Sequence, residues 1–77
     1  MSSKQEQVLE VLGKVAKKDP ALLKPEHELA ADLGIDSPKG LQLLMELEEK
    51  FKLEIEEDDA ARMSTVKDVV NYIVERG

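Results

Sequence analysis

The chain has 77 residues, no cysteine and a formal net charge of −6 at pH 7, with 11 basic and 17 acidic residues. This composition excludes a disulfide framework and a thiolate metal site, disfavours nucleic acid as a partner, and leaves room for one domain, residues 1–77, that rests on packed apolar side chains. No apolar run approaches the roughly 18 residues that cross a bilayer, and residues 1–6 lack the apolar centre of a signal peptide, so we expect a cytoplasmic protein without a membrane span.

A first helix is predicted at about residues 3–17, and a long connection follows it. Asp19 and Pro20 end the helix, because the residue before a proline avoids the helical region. A connection as long as residues 19–36 is unusual in a compact domain and is often functional. A short helical turn around residues 21–23 is compatible with the sequence. The apolar residues of the helix recur at helical spacing: Val8, Val11, Leu12 and Val15. The apolar residues of the connection are expected to hold it on the core: Leu22, Leu23, Leu29, Leu33 and Ile35.

A second helix is predicted at about residues 38–51, with a buried stripe about 100° wide. Within this stripe, Gly40 is expected to allow a close backbone approach near the start of the helix. Leu53 and Ile55 then alternate with glutamates, which predicts an extended segment with two core contacts rather than a paired strand. The members of the stripe are Gly40, Leu43, Leu44, Leu47 and Phe51.

Two further helices complete the predicted fold. Residues 57–62 begin with acidic side chains that suit the positive end of a short helix. The last helix begins after Ser64 and Thr65, and Asp68 lies three residues beyond Thr65, the spacing of a capping box. Its apolar face holds Val66, Val69, Val70 and Ile73. We therefore predict an all-α fold, a small four-helix bundle with three longer helices, one short helix and a long first loop.

One serine stands out at the start of the second helix, after the run Asp32-Leu33-Gly34-Ile35-Asp36. We expect Ser37 to be the N-cap, with Pro38 at the first helical position holding it extended. Its hydroxyl would then face solvent beside unpaired N–H groups and the positive end of the helix dipole, which suits a phosphate ester. On the Ser-Pro pair alone, a purely structural cap is the favoured interpretation.

The Leu33-Gly34 pair before Asp36-Ser37 is followed at a consistent spacing by the run at 43–49 and the acids at 56–59. On these segments, the stretch from Leu29 to Ile73 resembles the acyl carrier protein family. The resemblance implies that Ser37, with Asp36 beside it, is the attachment site of a 4′-phosphopantetheine cofactor. A phosphopantetheinyl transferase would attach this arm, whose thiol holds acyl groups as thioesters, so the resemblance implies a carrier and no catalytic residues. The only histidine, His27, is interpreted as a surface-loop residue. The segments that carry the resemblance are Asp32-Leu33-Gly34, the run at 43–49, Phe51, Glu54-Ile55, the acids at 56–59, Ser64-Thr65-Val66 and Tyr72-Ile73.

Leu41 and Met45 are apolar residues outside the buried stripe. Together with Ser37 they lie at steps of four along the second helix, and Glu48 or Glu49 continues the line. We interpret this line, with Pro38, as a docking ridge for the transferase and for acyl-transferring and acyl-modifying enzymes with basic patches, the carrier itself being a monomer. The alternative is that Leu41 and Met45 pack under the first loop.

The chain departs from the family pattern near Ser37. Pro38 replaces a common leucine, and Lys39 and Gln42 stand where acidic residues are frequent. The resemblance implies that fatty-acid, polyketide or other specialised biosynthetic enzymes are the partners, and these departures argue for a specialised pathway over the housekeeping fatty-acid machinery. Two alternatives stay open, a carrier of aminoacyl, peptidyl or D-alanyl groups and an unmodified helical interaction domain. A calcium loop that starts at Asp32 fails, because its sixth and twelfth positions hold Ser37 and Leu43. No metal site is predicted.

Two expectations concern the whole molecule. Residues 46–59 hold eight acidic and two basic side chains. Their mutual repulsion is expected to destabilise the fold at low salt. The resemblance further suggests that the bundle opens between its second and third helices, near Leu47 and Met63, to admit an acyl chain.

Overall fold

The computed structural model describes residues 3–76; Met1, Ser2 and Gly77, at the two ends of the predicted domain, lie outside the described residues. Four helices and one 3₁₀ turn form, which confirms the predicted all-α bundle. No strand is present within residues 3–76, and one isolated bridge joins Glu28 to Thr65. No helix in this part of the chain is long and apolar enough to cross a membrane. The elements are α1 (Lys4–Ala16), the 3₁₀ turn (Pro20–Leu22), α2 (Ser37–Phe51), α3 (Glu57–Arg62) and α4 (Val66–Arg76).

The core forms where α1 packs against both α2 and α4. In α2, Leu43 and Leu47 are buried, whereas the other stripe residues, Gly40, Leu44 and Phe51, are half-buried. The predicted stripe therefore faces the core, but only these two leucines are fully covered. Each fully buried leucine or valine contributes about 1.5–3 kcal/mol relative to an exposed one. The most deeply buried side chains come from all three longer helices: Val8, Leu12, Leu47, Val66, Val69 and Ile73.

The long connection is held on the core by both apolar and backbone contacts. Leu22 is an exception to the prediction, because its side chain is 67% exposed at the end of the 3₁₀ turn. This turn begins one residue earlier than predicted because Asp19 caps it, its Oδ1 accepting the Ala21 N–H at 2.9 Å. Backbone bonds then join the connection to the start of α4, among them Leu29 N–H to the Ser64 carbonyl at 2.9 Å. The predicted residues that are buried are Leu23, Leu29, Leu33 and Ile35.

The capping box predicted at the start of α4 is confirmed. Thr65 Oγ1 accepts the Asp68 N–H at 3.2 Å, and Asp68 Oδ2 accepts the Thr65 N–H at 3.2 Å. The same carboxylate oxygen also accepts the Ser64 N–H at 3.0 Å and the Ser64 hydroxyl at 3.2 Å. The Ser64 backbone bond is the largest of the effects that hold the pKa of Asp68 below its ordinary value.

The close backbone approach expected at Gly40 occurs at the other helical glycine, Gly13. A Cβ on Gly40 would meet no atom within 4 Å, so the prediction of a close backbone approach there is wrong. A Cβ on Gly13 would lie 2.7 Å from the Lys18 carbonyl oxygen and 3.0 Å from Pro20 Cγ. The tight approach therefore occurs in α1, where the chain turns back at once into the long connection.

Candidate functional site

The residue that caps α2 is Asp36, and the prediction that Ser37 is the N-cap is wrong. Asp36 has extended backbone angles (φ −83°, ψ −171°), and its Oδ1 accepts the Lys39 N–H at 3.3 Å. Aspartate is as good a cap as serine, and the carboxylate reaches the third helical residue as a cap should. Ser37 is thus the first helical residue and Pro38 the second. A proline there costs no helical hydrogen bond, because the first four N–H groups have no acceptor within the helix.

The first turn of α2 offers fewer free donors than the sequence suggested. Pro38 has no N–H, Lys39 donates to the Asp36 carboxylate, and Gly40 donates to the Asp36 carbonyl at 2.7 Å. Ser37 is exposed, and within residues 3–76 its own N–H is the one donor of this turn without an assigned partner. A phosphate on Ser37 would therefore meet the helix dipole and at most one backbone donor.

Ser37 borders an apolar groove of about 810 Å³ between α2 and α3. Its walls are mostly aliphatic, and the acidic side chains of Glu57 and Asp58 stand on the α3 side. The resemblance suggested an opening near Leu47 and Met63, but no local sequence pattern gives the walls of the groove, because they depend on the position of α3 relative to α2. The residues that line it include Leu41, Leu44 and Leu47 of α2, Ala60 and Ala61 of α3, and Met63, which follows α3.

The residues of the predicted docking ridge are exposed along α2. Leu41 is 64% and Met45 is 63% exposed, so the alternative that they pack under the first loop is excluded. Pro38 and Glu49 are exposed as well. Glu48 is different, because its Oε2 accepts the Ile55 N–H at 2.9 Å. That bond ties the extended segment before α3 to α2.

A second polar cluster, which the sequence analysis missed, joins α3 to α4. Asp59 Oδ2 accepts the Tyr72 hydroxyl at 3.0 Å and an Arg76 N–H at 3.3 Å. The Arg76 guanidinium also lies 4.9 Å from the centre of the Tyr72 ring. Burial, followed by the bond to Asp59, raises the pKa of Tyr72. The spacing of four between Tyr72 and Arg76 was the available signal in the sequence.

Two polar side chains of the first loop, those of His27 and Asp32, accept backbone hydrogen bonds. His27 Nδ1 accepts the Lys24 N–H at 3.1 Å, and Asp32 Oδ2 accepts the Glu28 N–H at 2.7 Å. No group of three or more histidine or acidic side chains that could hold a metal ion is found within residues 3–76. His27 and Asp32 therefore shape the loop that leads to Ser37.

Comparison with known proteins identifies the family. A family model described as a phosphopantetheine attachment site matches residues 6–73. This match, together with a helical bundle that exposes a serine at the start of α2, defines the class as phosphopantetheine carrier domains. The chain is 40% identical over 72 residues to the acyl carrier protein of Campylobacter concisus, covering 94% of each chain. It is 44% identical over 69 residues to that of an Exiguobacterium strain, covering 90% of this chain and 82% of the relative.

A solved structure agrees with these relatives. It is described as a proposed acyl carrier protein from Mycobacterium tuberculosis, superposes with a TM-score of 0.90 at 29% identity, and is matched over 97% of this chain and 100% of its own. The chain belongs to the acyl carrier protein family, as its resemblance indicated. Its function is to carry acyl groups, and its prosthetic group is 4′-phosphopantetheine.

Proposed function

We propose that the Ser37 hydroxyl is the attachment point of the 4′-phosphopantetheine arm. The observation that carries this proposal is the exposed Ser37 side chain on the first residue of α2, at the border of the apolar groove. When bound, the arm supplies a terminal thiol that holds an acyl group as a thioester. The chain has no cysteine of its own, and we infer that it acts as a carrier rather than as an enzyme.

The residues around Ser37 fit an arm that is tethered at one point and otherwise mobile. Asp36 and Pro38 fix the backbone on both sides of the serine, through the capping bond and the restricted φ of proline. Because Lys39 and Gly40 already donate to Asp36, the first turn has little left with which to clamp the phosphate. An arm held mainly by its covalent bond is free to move between the groove and a partner enzyme.

We propose that the groove shelters the acyl chain. Each methylene removed from water contributes about 0.8 kcal/mol, so a longer chain gains more from the aliphatic walls than a short one. Amide exchange near Leu47 and Met63 should therefore slow when a long acyl chain replaces an acetyl group. Equal exchange in the two loaded forms would argue against this use of the groove.

The attachment site is tested by intact mass after incubation with coenzyme A and a phosphopantetheinyl transferase. The wild-type chain and a Ser64→Ala control should gain one phosphopantetheine group. Ser37→Ala should gain none, while its circular dichroism spectrum stays helical because Asp36, not Ser37, caps α2. Modification of Ser37→Ala would reject this serine as the attachment point.

We propose the exposed line of Ser37, Leu41, Met45 and Glu49 as the docking surface for the transferase and for acyl-transferring or acyl-modifying enzymes with basic patches. Leu41 and Met45 supply the apolar surface that the buried centre of an interface needs. Glu48 contributes charge near this line, although its Oε2 holds the Ile55 N–H.

Alanine at Leu41 or Met45 should raise the transferase KM about fivefold or more, since each methylene that a partner buries contributes about 0.8 kcal/mol and either substitution removes several heavy atoms. Val74→Ala, a change of an exposed apolar residue on α4, is the matched control and should leave the KM unchanged. Equal KM values for all three variants would place the docking surface elsewhere.

We propose that the partners belong to a specialised pathway, because Lys39 and Gln42 reduce the negative charge beside Ser37. The test is the rate of modification by a general phosphopantetheinyl transferase and of loading by a fatty-acid malonyl transferase. Efficient use of both would remove the basis for this proposal. Loading with an aminoacyl or D-alanyl group instead would favour the alternative of an aminoacyl, peptidyl or D-alanyl carrier. The cytoplasmic location and the monomeric state stay predictions from the sequence.

A further inference from the structure

Helix α3 has an unusual position in this fold, because it forms one wall of the groove and yet contributes no fully buried residue. It is six residues long. Helices this short are not stable by themselves in water, so contacts with the rest of the molecule must hold α3 in place. The width of the groove depends on those contacts.

The two faces of α3 have different partners. Ala60 and Ala61 line the groove, together with Glu57 and Asp58. At 100° per residue, Asp59 lies about 160° from Glu57 and Ala61 and about 100° from Ala60, and its carboxylate accepts hydrogen bonds from Tyr72 and Arg76 of α4. The polar bonds of α3 therefore act from behind the groove wall.

We propose that Asp59, Tyr72 and Arg76 form an α3 anchor that holds the groove wall back against α4 and so keeps the acyl groove preformed. This inference rests on the proposed use of the groove for the acyl chain. An empty apolar groove in water tends to close, since closing it removes apolar surface from water. Bonds that hold α3 on its far side oppose that closure, and a preformed site binds its occupant with less loss of order.

The geometry of the anchor suits this role. One carboxylate oxygen accepts both donors, and the arginine that supplies the second donor also covers the ring that supplies the first. Asp59 is 21% exposed in its side chain, whereas Arg76 is 55% exposed. The half-buried tyrosine bond is therefore expected to contribute more than the ion pair, which water screens. Glu48 provides a second fixed point at the other end, through the N–H of Ile55.

The first test is amide exchange in the unloaded protein. Tyr72→Phe removes one hydroxyl and keeps the packed ring, and Asp59→Asn weakens both bonds. In each variant the amides of Ala60 to Met63 should exchange about tenfold faster, which corresponds to about 1.4 kcal/mol, while the amides of α1 keep their rates. Asp58→Asn is the matched control, with the same change of residue and charge on the groove side, and should leave α3 exchange unchanged. Equal exchange in Tyr72→Phe and the wild type would overturn the anchor.

The second test uses the loaded protein. With a dodecanoyl group on the arm, the Tyr72→Phe thioester should react several times faster with hydroxylamine than the wild-type thioester, whereas the acetyl forms should react equally. Faster α3 exchange with unchanged dodecanoyl reactivity would overturn the link between the anchor and the groove. Failure of Ser37 to accept the arm would reject the proposed function instead, and exchange in the unloaded protein would still decide the anchor.

Discussion

At the scale of single residues, the start of α2 shows how one atom-level detail changes the chemistry of the site. The cap is the Asp36 carboxylate, so the Ser37 hydroxyl has no bond to make in the helix. A serine that capped α2 would hold the helix through the same oxygen that becomes the ester oxygen on modification, whereas the Ser37 oxygen makes no capping bond. The separation of the cap and the proposed attachment point into neighbouring residues favours modification without loss of the helix.

Two glycines give a matched prediction at this scale. Gly40→Ala should stabilise the protein by up to about 1 kcal/mol, because alanine is the better helix former and its methyl meets no neighbour. Gly13→Ala should destabilise it by about 1–3 kcal/mol, because the new Cβ overlaps the Lys18 carbonyl. Urea unfolding of the two variants checks the signs. Stabilisation by both substitutions would mean that the backbone of the turn after α1 shifts to accommodate the new Cβ without loss of stability.

At the scale of elements, the four helices differ in what defines them. The three longer helices are set by apolar periodicity and end signals that are visible in the sequence, such as the Thr65–Asp68 box. The position of α3 depends instead on tertiary bonds of Asp59 and of Ile55, which no local pattern displays.

The cap of α4 predicts a dependence on pH. The pKa of Asp68 is lowered in the fold, chiefly by the Ser64 backbone bond, so its contribution is present above the ordinary value of 3.8 and is lost as the pH falls through the folded pKa. Asp68→Ala should cost about 1 kcal/mol at pH 7 and lose less stability than the wild type between about pH 5 and pH 2. Parallel acid titrations of the two proteins, followed by circular dichroism, check this. Acid-unfolding curves of equal shape for the two proteins would show that protonation of Asp68 does not contribute to acid unfolding.

The sequence was sufficient for the helices, the core face of α1 and the exposed serine, because each depends on local spacing or on a short motif. It was insufficient for three features that depend on the exact path of the backbone or on where distant segments meet. Gly13 is required by the path of Lys18 and Pro20, and Leu22 is exposed because a 3₁₀ turn directs it outward. The third feature is the α3 anchor, whose residues are separated by 13 and 17 positions along the chain.

At the scale of the whole molecule, charge is arranged unevenly. Of the eight acidic residues at 46–59, three have partners: Glu46 pairs with Lys14 at 2.8 Å, Glu48 holds the Ile55 N–H, and Asp59 belongs to the α3 anchor. Within residues 3–76, the other five are exposed, and their side chains have no assigned hydrogen bond or ion pair. They are Glu49, Glu54, Glu56, Glu57 and Asp58.

Repulsion among these five side chains predicts a response to salt. Raising sodium chloride from about 0.01 M to about 0.15 M shortens the Debye length from about 30 Å to about 8 Å, so the melting temperature should rise. A Glu57→Gln, Asp58→Asn double variant should have a higher melting temperature than the wild type at low salt, and its melting temperature should rise less when salt is added. A melting temperature that is independent of salt in both proteins would show that the repulsion is insignificant.

The proposed carrier function depends above all on Ser37 as the attachment site of a mobile acyl-carrying arm. Its most direct test is peptide mapping by tandem mass spectrometry after complete modification by a transferase. The account predicts the phosphopantetheine group on Ser37 alone, within the peptide that contains Asp36 and Pro38. An unmodified Ser37 after complete reaction of a control carrier, or a group located on another serine, would contradict it.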